Sequence, residues 1–439
     1  MVAQRESAET RYRLLETIRE YGEDRLGELG ETEALRAAHA EYFCELAGRL
    51  CEQLFGPEQL TAARRLAADA DNLLAAVQHA VDTGDIDLAL RLVSNAPPPG
   101  LQVGSYQLLL PVDAVLGLPG ANDHPLYAFA VVVAASGAAS GGDLERAEAR
   151  CEEALAILDR LGPDRDQRIE WVVANTRAAI ALATGEWGDA AALMAQSAEV
   201  ARASDPGPRQ RAATSFILAG AALAYTLAGD PEAAEPLATE GLARARELGA
   251  PAYIAMNFVA LAGALAGRDP PRARALLDES LELHSTLDFE SPVEAVESTL
   301  IAGRMGDWEL VLRLSPRAIR QLDWSASWPY LGGILNVVAR ALAASDAESA
   351  AMLQGAARRF APTRVPASQR RVGRIVAPLG ERGGAASFVT EARRQTTAIV
   401  DSALGEERLR ELRAEGEAMD RDQAVRYALS VIERDVAPL

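Results

Sequence analysis

The chain has 439 residues, of which 49% are hydrophobic and 5% are aromatic, and its formal net charge is −19. This length accommodates two or three ordinary domains or one long repeat array. The acidic balance argues against broad binding of nucleic-acid backbones, which requires a basic face. Every positive charge is an arginine, so P-loop, Schiff-base-lysine and Ser-x-x-Lys chemistry are excluded.

The first thirty residues predict a small β-hairpin followed by a helix. Val2–Gln4 and Thr10–Tyr12 flank a polar turn, and a two-stranded hairpin alone is marginal in water. A helix over Leu14–Leu29 ends before Gly30. The stretch Arg11–Tyr21 resembles the exit from the winged-helix segment of large actinobacterial LuxR-family and related signal-transduction ATPase regulators. In that family a nucleotide-binding domain and a winged helix precede a helical-repeat region, so the resemblance implies that residues 1–30 are a remnant of this exit.

Residues 31–123 are expected to be the leading helices of the repeat region. Ala70–Ala76 resembles the Asp-Asn-Leu-x-x-Ala pattern of the same regulators. A turn at Gly84-Asp85 precedes a helix over Ile86–Val93, and the prolines of Asn95–Gly100 exclude a helix there.

Six turns at similar spacing organise residues 124–362. Consecutive turns are 43, 44, 38, 39 and 39 residues apart. They lie at Gly142-Asp143, Gly185-Glu186, Gly229-Asp230, Gly267-Arg268, Gly306-Asp307 and Ser345-Asp346. The spacing predicts six helical hairpins.

Small residues recur at fixed positions when the first residue of each turn is counted as zero. Position −7 holds Ala135, Ala178, Ala222, Ala260, Thr299 and Val338. Position +5 holds Ala147, Ala190, Ala234, Ala273 (shifted by one extra turn residue), Val311 and Ala350. Small residues at these positions allow the two helices of a hairpin to approach closely.

The first helix of a hairpin is less charged than the second. Residues 125–142, 212–229 and 251–267 contain no Asp, Glu, Lys or Arg, and a helix that is apolar all round is buried. These runs are too rich in Ala, Gly and Ser for membrane spans. The array therefore resembles a longer form of the tetratricopeptide repeat, whose usual period is about 34 residues. We predict an all-α, right-handed α-solenoid with its first helices inside.

Residues 363–439 are expected to form a C-terminal helical cap. The segment from Ala403 to Leu429 resembles the closing helices of the same regulators. A basic cluster precedes it, comprising Arg364, Arg370, Arg371, Arg374 and Arg382. A solvated loop and helix face is the ordinary interpretation, whereas a nucleic-acid contact lacks the interleaved aromatic residues that such contacts use. We expect no direct nucleic-acid binding by this chain.

No motif predicts catalysis, a metal site or a cofactor. The four histidines show no His-Glu-x-x-His spacing, and neither Cys-x-x-Cys nor Gly-x-Ser-x-Gly occurs. Cys44 and Cys51 are about 10.5 Å apart along one predicted helix, too far for a disulfide. We expect buried thiols, a cytoplasmic location and no enzymatic site.

Four residues are candidates for ligand binding on the concave face of the solenoid. Asn175 and Asn257 both fall at position −10 of otherwise apolar first helices, and Phe216 falls at position −13 of the helix between them. An asparagine there can bond a peptide backbone or carboxylate, or it can cap a neighbouring helix or bind a buried water. Arg177 suits an anionic ligand or a salt bridge to an adjacent repeat.

Three hypotheses for the function remain at this stage. The first is a non-enzymatic sensing module of a transcriptional regulator, which binds a peptide, a protein or a small inducer. The second is a free-standing interaction scaffold, or an inhibitor of a full-length relative. The third is the non-catalytic portion of a split cyclase or ATPase regulator, whose partner is a nucleotide-binding chain.

Overall fold

The computed structural model describes residues 2–6, 9–13, 16–95, 111–140, 142–161, 167–184, 186–203, 208–286, 292–324, 328–360 and 385–435. The predicted basic cluster from Arg364 to Arg382 lies outside the described residues. The described part is an all-helical protein, as predicted, apart from two short strands at its start. Strand β1, Val2–Glu6, pairs antiparallel with β2, Glu9–Arg13.

The described helices follow one another with short connections. The leading helices are α1 Glu16–Leu29, α2 Thr32–Gln53, α3 Gln59–Ala68, α4 Ala70–Thr83, α5 Ile86–Ser94 and α6 Val112–Leu116. The central hairpins contain α7 Tyr127–Ser140, α8 Leu144–Leu161, α9 Gln167–Thr184, α10 Trp187–Ala203, α11 Pro208–Ala228, α12 Pro231–Leu248, α13 Pro251–Leu265, α14 Pro270–Thr286, α15 Pro292–Met305, α16 Trp308–Trp324, α17 Trp328–Leu342 and α18 Ala347–Arg359. The last helices are α19 Ala385–Leu404, α20 Glu406–Ala418 and α21 Arg421–Asp435.

All six predicted turns fall between the two helices of a hairpin, and their residues explain why. Gly142, Gly229 and Gly306 have positive φ values, which end a helix without a steric penalty. The aspartate that follows caps the next helix. In the third hairpin, for example, the Asp230 carboxylate accepts a hydrogen bond from the Ala233 amide at 3.0 Å. Such a cap stabilises a helix by about 1 kcal/mol.

The small residues at positions −7 and +5 line the contact within each hairpin. All twelve side chains at these positions, including Thr299, Val311 and Val338, are 0% exposed. Because they are mostly alanine, the paired helices approach closely along their length.

The first helices form a buried layer. α11 contacts α13, α13 contacts α15, and α15 contacts α17. Most second helices pack on the first helix of their own hairpin and on the next first helix, whereas α14 packs mainly on α13 and α18 packs on both α17 and α20 of the cap. In α13, thirteen of the fifteen residues are buried. This layer therefore supplies most of the hydrophobic core of the described hairpins.

The leading helices return to the middle of the array. Leu54 and Phe55 belong to the same hydrophobic cluster as Ala245 and Tyr253 of α12 and α13. The buried Gln59 side chain accepts a hydrogen bond from the Ala252 amide at 2.7 Å, at the start of α13. The Ala252 N–H, at a helix start where amides lack partners within the helix, thus donates to a residue 193 positions away.

The C-terminal helices pack on the last hairpins. A Cβ atom at Gly355 of α18 would lie closer than 3.0 Å to the Arg413 backbone of α20, and one at Gly416 would meet Met352 in the same way. Helix α19 also reaches the first-helix layer, because the Phe388 ring occupies the space beside Gly303 of α15. The cap therefore contacts both layers of the array.

Candidate functional site

Asn257 lies inside the protein, between three helices. Its side chain is 0% exposed. Its amino group donates to Tyr253 O at 2.8 Å and to Ser215 Oγ at 3.0 Å, and Ser215 Oγ donates to Gly241 O at 2.8 Å. Asn257 thus lies in the packed interior, where its amide bonds to Ser215 of the preceding hairpin.

Asn175 has similar local geometry on α9. Its amino group donates to Trp171 O, one turn earlier, at 2.8 Å, and the residue is 9% exposed. Asn175 Oδ1 and Trp171 Nε1 are both buried, and neither has a hydrogen-bond partner. A buried polar atom without a partner costs about 1–3 kcal/mol. Asn175 and Trp171 thus bring an unused acceptor and an unused donor to the same part of α9.

Phe216 and Trp171 pack against the same small hydrophobic cluster. The cluster joins α10 to α11 and consists of Ala198, Ala201, Ile217 and Leu218. Phe216 is partly buried and also packs against two further hydrophobic clusters, one of which contains Tyr253 of α13. The sequence made Asn175 and Phe216 candidates but not Trp171, whose four-residue separation from Asn175 was the available signal.

Arg177 forms a salt bridge to the preceding hairpin. Its Nε atom donates to Glu148 Oε2 of α8 at 3.3 Å, and a second contact joins the guanidinium to Glu148 Oε1. The two side chains are 19% and 24% exposed. Arg177 therefore pairs with an adjacent hairpin, which is one of the two roles that the sequence left open for it.

Asn336 of α17 repeats the arrangement a third time. Its amino group donates to Gly332 O at 2.8 Å, and its Oδ1 atom is buried without a partner. The residue four positions earlier is glycine, so no second side-chain polar group accompanies it. Asn336 stands one position away from the register of Asn175 and Asn257.

A second polar group on the first-helix layer was missed by the sequence reasoning. Glu297 of α15 is 6% exposed, and burial raises the pKa of its carboxyl group to about 7, partly offset by nearby Arg304. Burial also lowers the pKa of Arg304, whose Nη1 donates to Thr226 O of α11 at 3.0 Å. The signal in the sequence was the presence of acidic residues on α15, because the first helices of the hairpins are otherwise mostly apolar.

No group of three or more His, Cys, Asp or Glu side chains within the described ranges is arranged to hold a metal ion. All three cysteines are buried and none forms a disulfide, as predicted. One helix, α11, contains a window long and apolar enough to cross a membrane, Arg211–Ala228, with a mean hydropathy of 1.3. Because 72% of this window is buried inside the protein, α11 fits the core helix of a soluble protein.

Comparison with known proteins relates the chain to transcriptional regulators. No family model matches it. A stretch of 89 residues is 39% identical to each of three mycobacterial proteins. They are named "Putative HTH-type transcriptional regulator" Mb0914c of Mycobacterium bovis (strain ATCC BAA-935 / AF2122/97), MT0914 of Mycobacterium tuberculosis (strain CDC 1551 / Oshkosh) and Rv0890c of Mycobacterium tuberculosis (strain ATCC 25618 / H37Rv). The match covers 20% of this chain and 10% of each regulator, and it fits a regulatory role.

Proposed function

We propose that the chain is a non-enzymatic sensing module of a transcriptional regulator. The observation that carries this proposal is the 39% identity to HTH-type transcriptional regulators over 89 residues. The resemblance of Arg11–Tyr21 and Ala403–Leu429 to LuxR-family regulators supports the same role. The module acts in the cytoplasm, and its partner is a peptide, a protein or a small inducer.

In this proposal the helical hairpins form a right-handed α-solenoid of tetratricopeptide-like repeats. Support comes from the six regular turns, the small residues at positions −7 and +5 that are buried in every hairpin, and the contacts that join the first helices α11, α13, α15 and α17 in succession. The boundaries at residues 30, 123 and 362 separate a winged-helix remnant, the leading helices, the array and the cap. The ligand binds to the first-helix layer, where buried polar groups interrupt an apolar surface.

Asn175 and Phe216 are the proposed ligand contacts from the original four residues. Asn257 hydrogen-bonds Tyr253 and Ser215, and Arg177 is paired with Glu148. These two side chains therefore have structural roles that account for their positions. Asn175 and Asn257 each keep a carbonyl oxygen without a partner, but at Asn175 the residue four positions earlier, Trp171, adds an unpartnered donor.

A thermal-shift screen of the purified chain tests the proposed function. The screen uses peptides and small metabolites, with ATP as the negative control. A ligand present at 100 times its Kd stabilises the folded state by about 2.7 kcal/mol, which is readily measured. We expect a shift with at least one peptide or metabolite and none with ATP. A clear shift with ATP would contradict the proposal.

A further inference from the structure

A single ligand group that both donates and accepts a hydrogen bond can satisfy the unpartnered atoms of Trp171 and Asn175 together. Trp171 Nε1 can only donate a hydrogen bond, and Asn175 Oδ1 can only accept one. Both atoms are buried without a partner. Buried polar groups in folded proteins nearly always have partners, so each exception needs an explanation such as a bound ligand or water.

The orientation of the Asn175 amide is fixed by the backbone. Its other end faces Trp171 O at 2.8 Å, and a carbonyl oxygen accepts only a donor. The amino group must therefore be at that end, and the Oδ1 atom is left for another molecule. Residues four apart lie on the same face of a helix, so the indole and the free oxygen belong to one surface of α9.

We propose that Trp171 and Asn175 bind a secondary amide, the group that links residues in a peptide. The N–H of the ligand donates to Asn175 Oδ1, and its carbonyl oxygen accepts from Trp171 Nε1. This inference rests on the proposed sensing function and specifies its ligand class. It also explains the unused donor and acceptor together, whereas an ion would satisfy only one of them.

The surroundings favour an amide with small apolar substituents. Trp171 and Phe216 pack against a cluster that consists of alanine, isoleucine and leucine side chains. A peptide segment with small apolar side chains matches such surroundings, because its flanking groups bury apolar surface while the amide bonds to α9.

Asn336 provides an internal control for this inference. It has the same bond to a carbonyl four residues earlier and the same unpartnered oxygen. Its helix carries Gly332 where α9 carries Trp171, so α17 offers an acceptor without the matching indole donor. An amide should bind at Asn175 and not at Asn336.

The test observes the indole of Trp171 directly. The chain has five tryptophans, so protein labelled with 15N-tryptophan gives few indole signals in an NMR spectrum, and Trp171→Phe assigns the relevant one. The probe is N-methylacetamide, which has both an N–H donor and a carbonyl acceptor. The matched control is N,N-dimethylacetamide, which lacks the N–H and cannot bond to Asn175 Oδ1.

N-methylacetamide should shift the Trp171 indole signal in a saturable manner. The dimethyl compound should bind at least about tenfold more weakly, because one hydrogen bond is lost. Equal affinities for the two compounds, or no saturable shift with N-methylacetamide, would overturn the inference. The second result is also the one expected if a bound water satisfies the indole.

Two variants complete the test. Asn175→Leu should abolish the response while leaving the chain as stable as before or more stable, since it removes a buried atom that lacks a partner. Asn336→Leu should leave the response of the Trp171 indole unchanged. An undiminished response in Asn175→Leu would overturn the proposed site.

The two proposals can fail separately. If another ligand stabilises the chain in the thermal-shift screen while N-methylacetamide leaves the Trp171 indole unshifted, the sensing function stands and the amide site is wrong. If the indole responds but ATP also stabilises the chain, the site stands and the non-enzymatic function is wrong.

Discussion

The side-chain oxygen of Asn257 occupies the space that a side chain at Gly241 would need. A Cβ atom built on Gly241 would lie closer than 3.0 Å to Asn257 Oδ1. Helices α11, α12 and α13 meet at this point, and Ser215 links the asparagine to Gly241 O. Gly241 is therefore required by close packing, since its helical backbone conformation needs no glycine.

We expect Gly241→Ala to lower the free energy of unfolding by about 1–3 kcal/mol, as overpacked cores do. Urea unfolding provides the measurement. Gly333→Ala on α17 is the control, because no atom lies within 4 Å of its added Cβ; this change should stabilise the chain by up to about 1 kcal/mol. A Gly241→Ala variant as stable as the natural chain would contradict this account.

Gln59 is expected to contribute to stability through both ends of its amide. Gln59→Ala removes the acceptor for the Ala252 amide and the donor to Leu54 O, so buried backbone groups lose their partners. The free energy of unfolding should fall by about 1–3 kcal/mol. Gln78→Ala, at an exposed position bonded to Asp82, should change it by less than about 0.5 kcal/mol.

Glu297 should make stability depend on pH in an unusual direction. Burial raises the pKa of its carboxyl group from 4.5 to about 7, so the folded chain binds the proton more tightly than the unfolded chain. The stabilisation is present at low pH and is lost as the pH rises through about 7. As the pH rises from 4.5 to about 7, the free energy of unfolding of Glu297→Gln should exceed that of the natural chain by a margin that grows by on the order of 1–3 kcal/mol.

Urea midpoints measured at several values between pH 5 and pH 8 would show this trend. Glu247→Gln changes a residue on the exposed surface of α12, so its urea midpoints should vary with pH in parallel with those of the natural chain. Parallel curves for Glu297→Gln would mean that the carboxyl group titrates normally. Arg304 shares this environment, so Arg304→Gln should steepen the dependence by removing the charge that favours the ionised carboxylate.

The N-terminal elements should exchange their amide hydrogens rapidly. α1 packs on α2, and Ile18, Tyr21 and Leu29 are exposed. Isolated helices of this length and two-stranded hairpins are both marginal in water. Hydrogen exchange followed by mass spectrometry should therefore show weak protection over residues 2–29 and strong protection in α13. Strong protection of residues 2–29 in a monomer would contradict this expectation.

Much of the helical organisation was predictable because it depends on local signals. Glycine followed by aspartate ends one helix and caps the next, and such pairs marked three of the six hairpin turns. Alanine at constant distance from each turn predicted the buried faces. The predicted ends of β1 and β2 differ from the observed ones by one or two residues, since fraying ends have weak signals.

The candidate site was less predictable because burial of individual atoms depends on distant parts of the chain. The shared register of Asn175 and Asn257 was visible in the sequence, but their different environments were not. Both side-chain oxygens lack a partner, but Ser215 and Gly241 surround the Asn257 amide, whereas the unpartnered indole N–H of Trp171 lies four residues before Asn175. The contact between Gln59 and Ala252 had no sequence signal, because nothing local indicates which distant helix the glutamine will meet.

That contact also constrains the order of events during synthesis. The ribosome must add 193 residues after Gln59 before Ala252 exists, which takes roughly 10–40 s at 5–20 residues per second. Until then the side-chain oxygen of Gln59 has no Ala252 amide from which to accept a hydrogen bond. The apolar side chains of Leu54 and Phe55 likewise lack the surface that they finally cover. The leading helices are made first yet reach their final environment only after the third hairpin has emerged, so the nascent chain carries an exposed apolar surface for much of its translation.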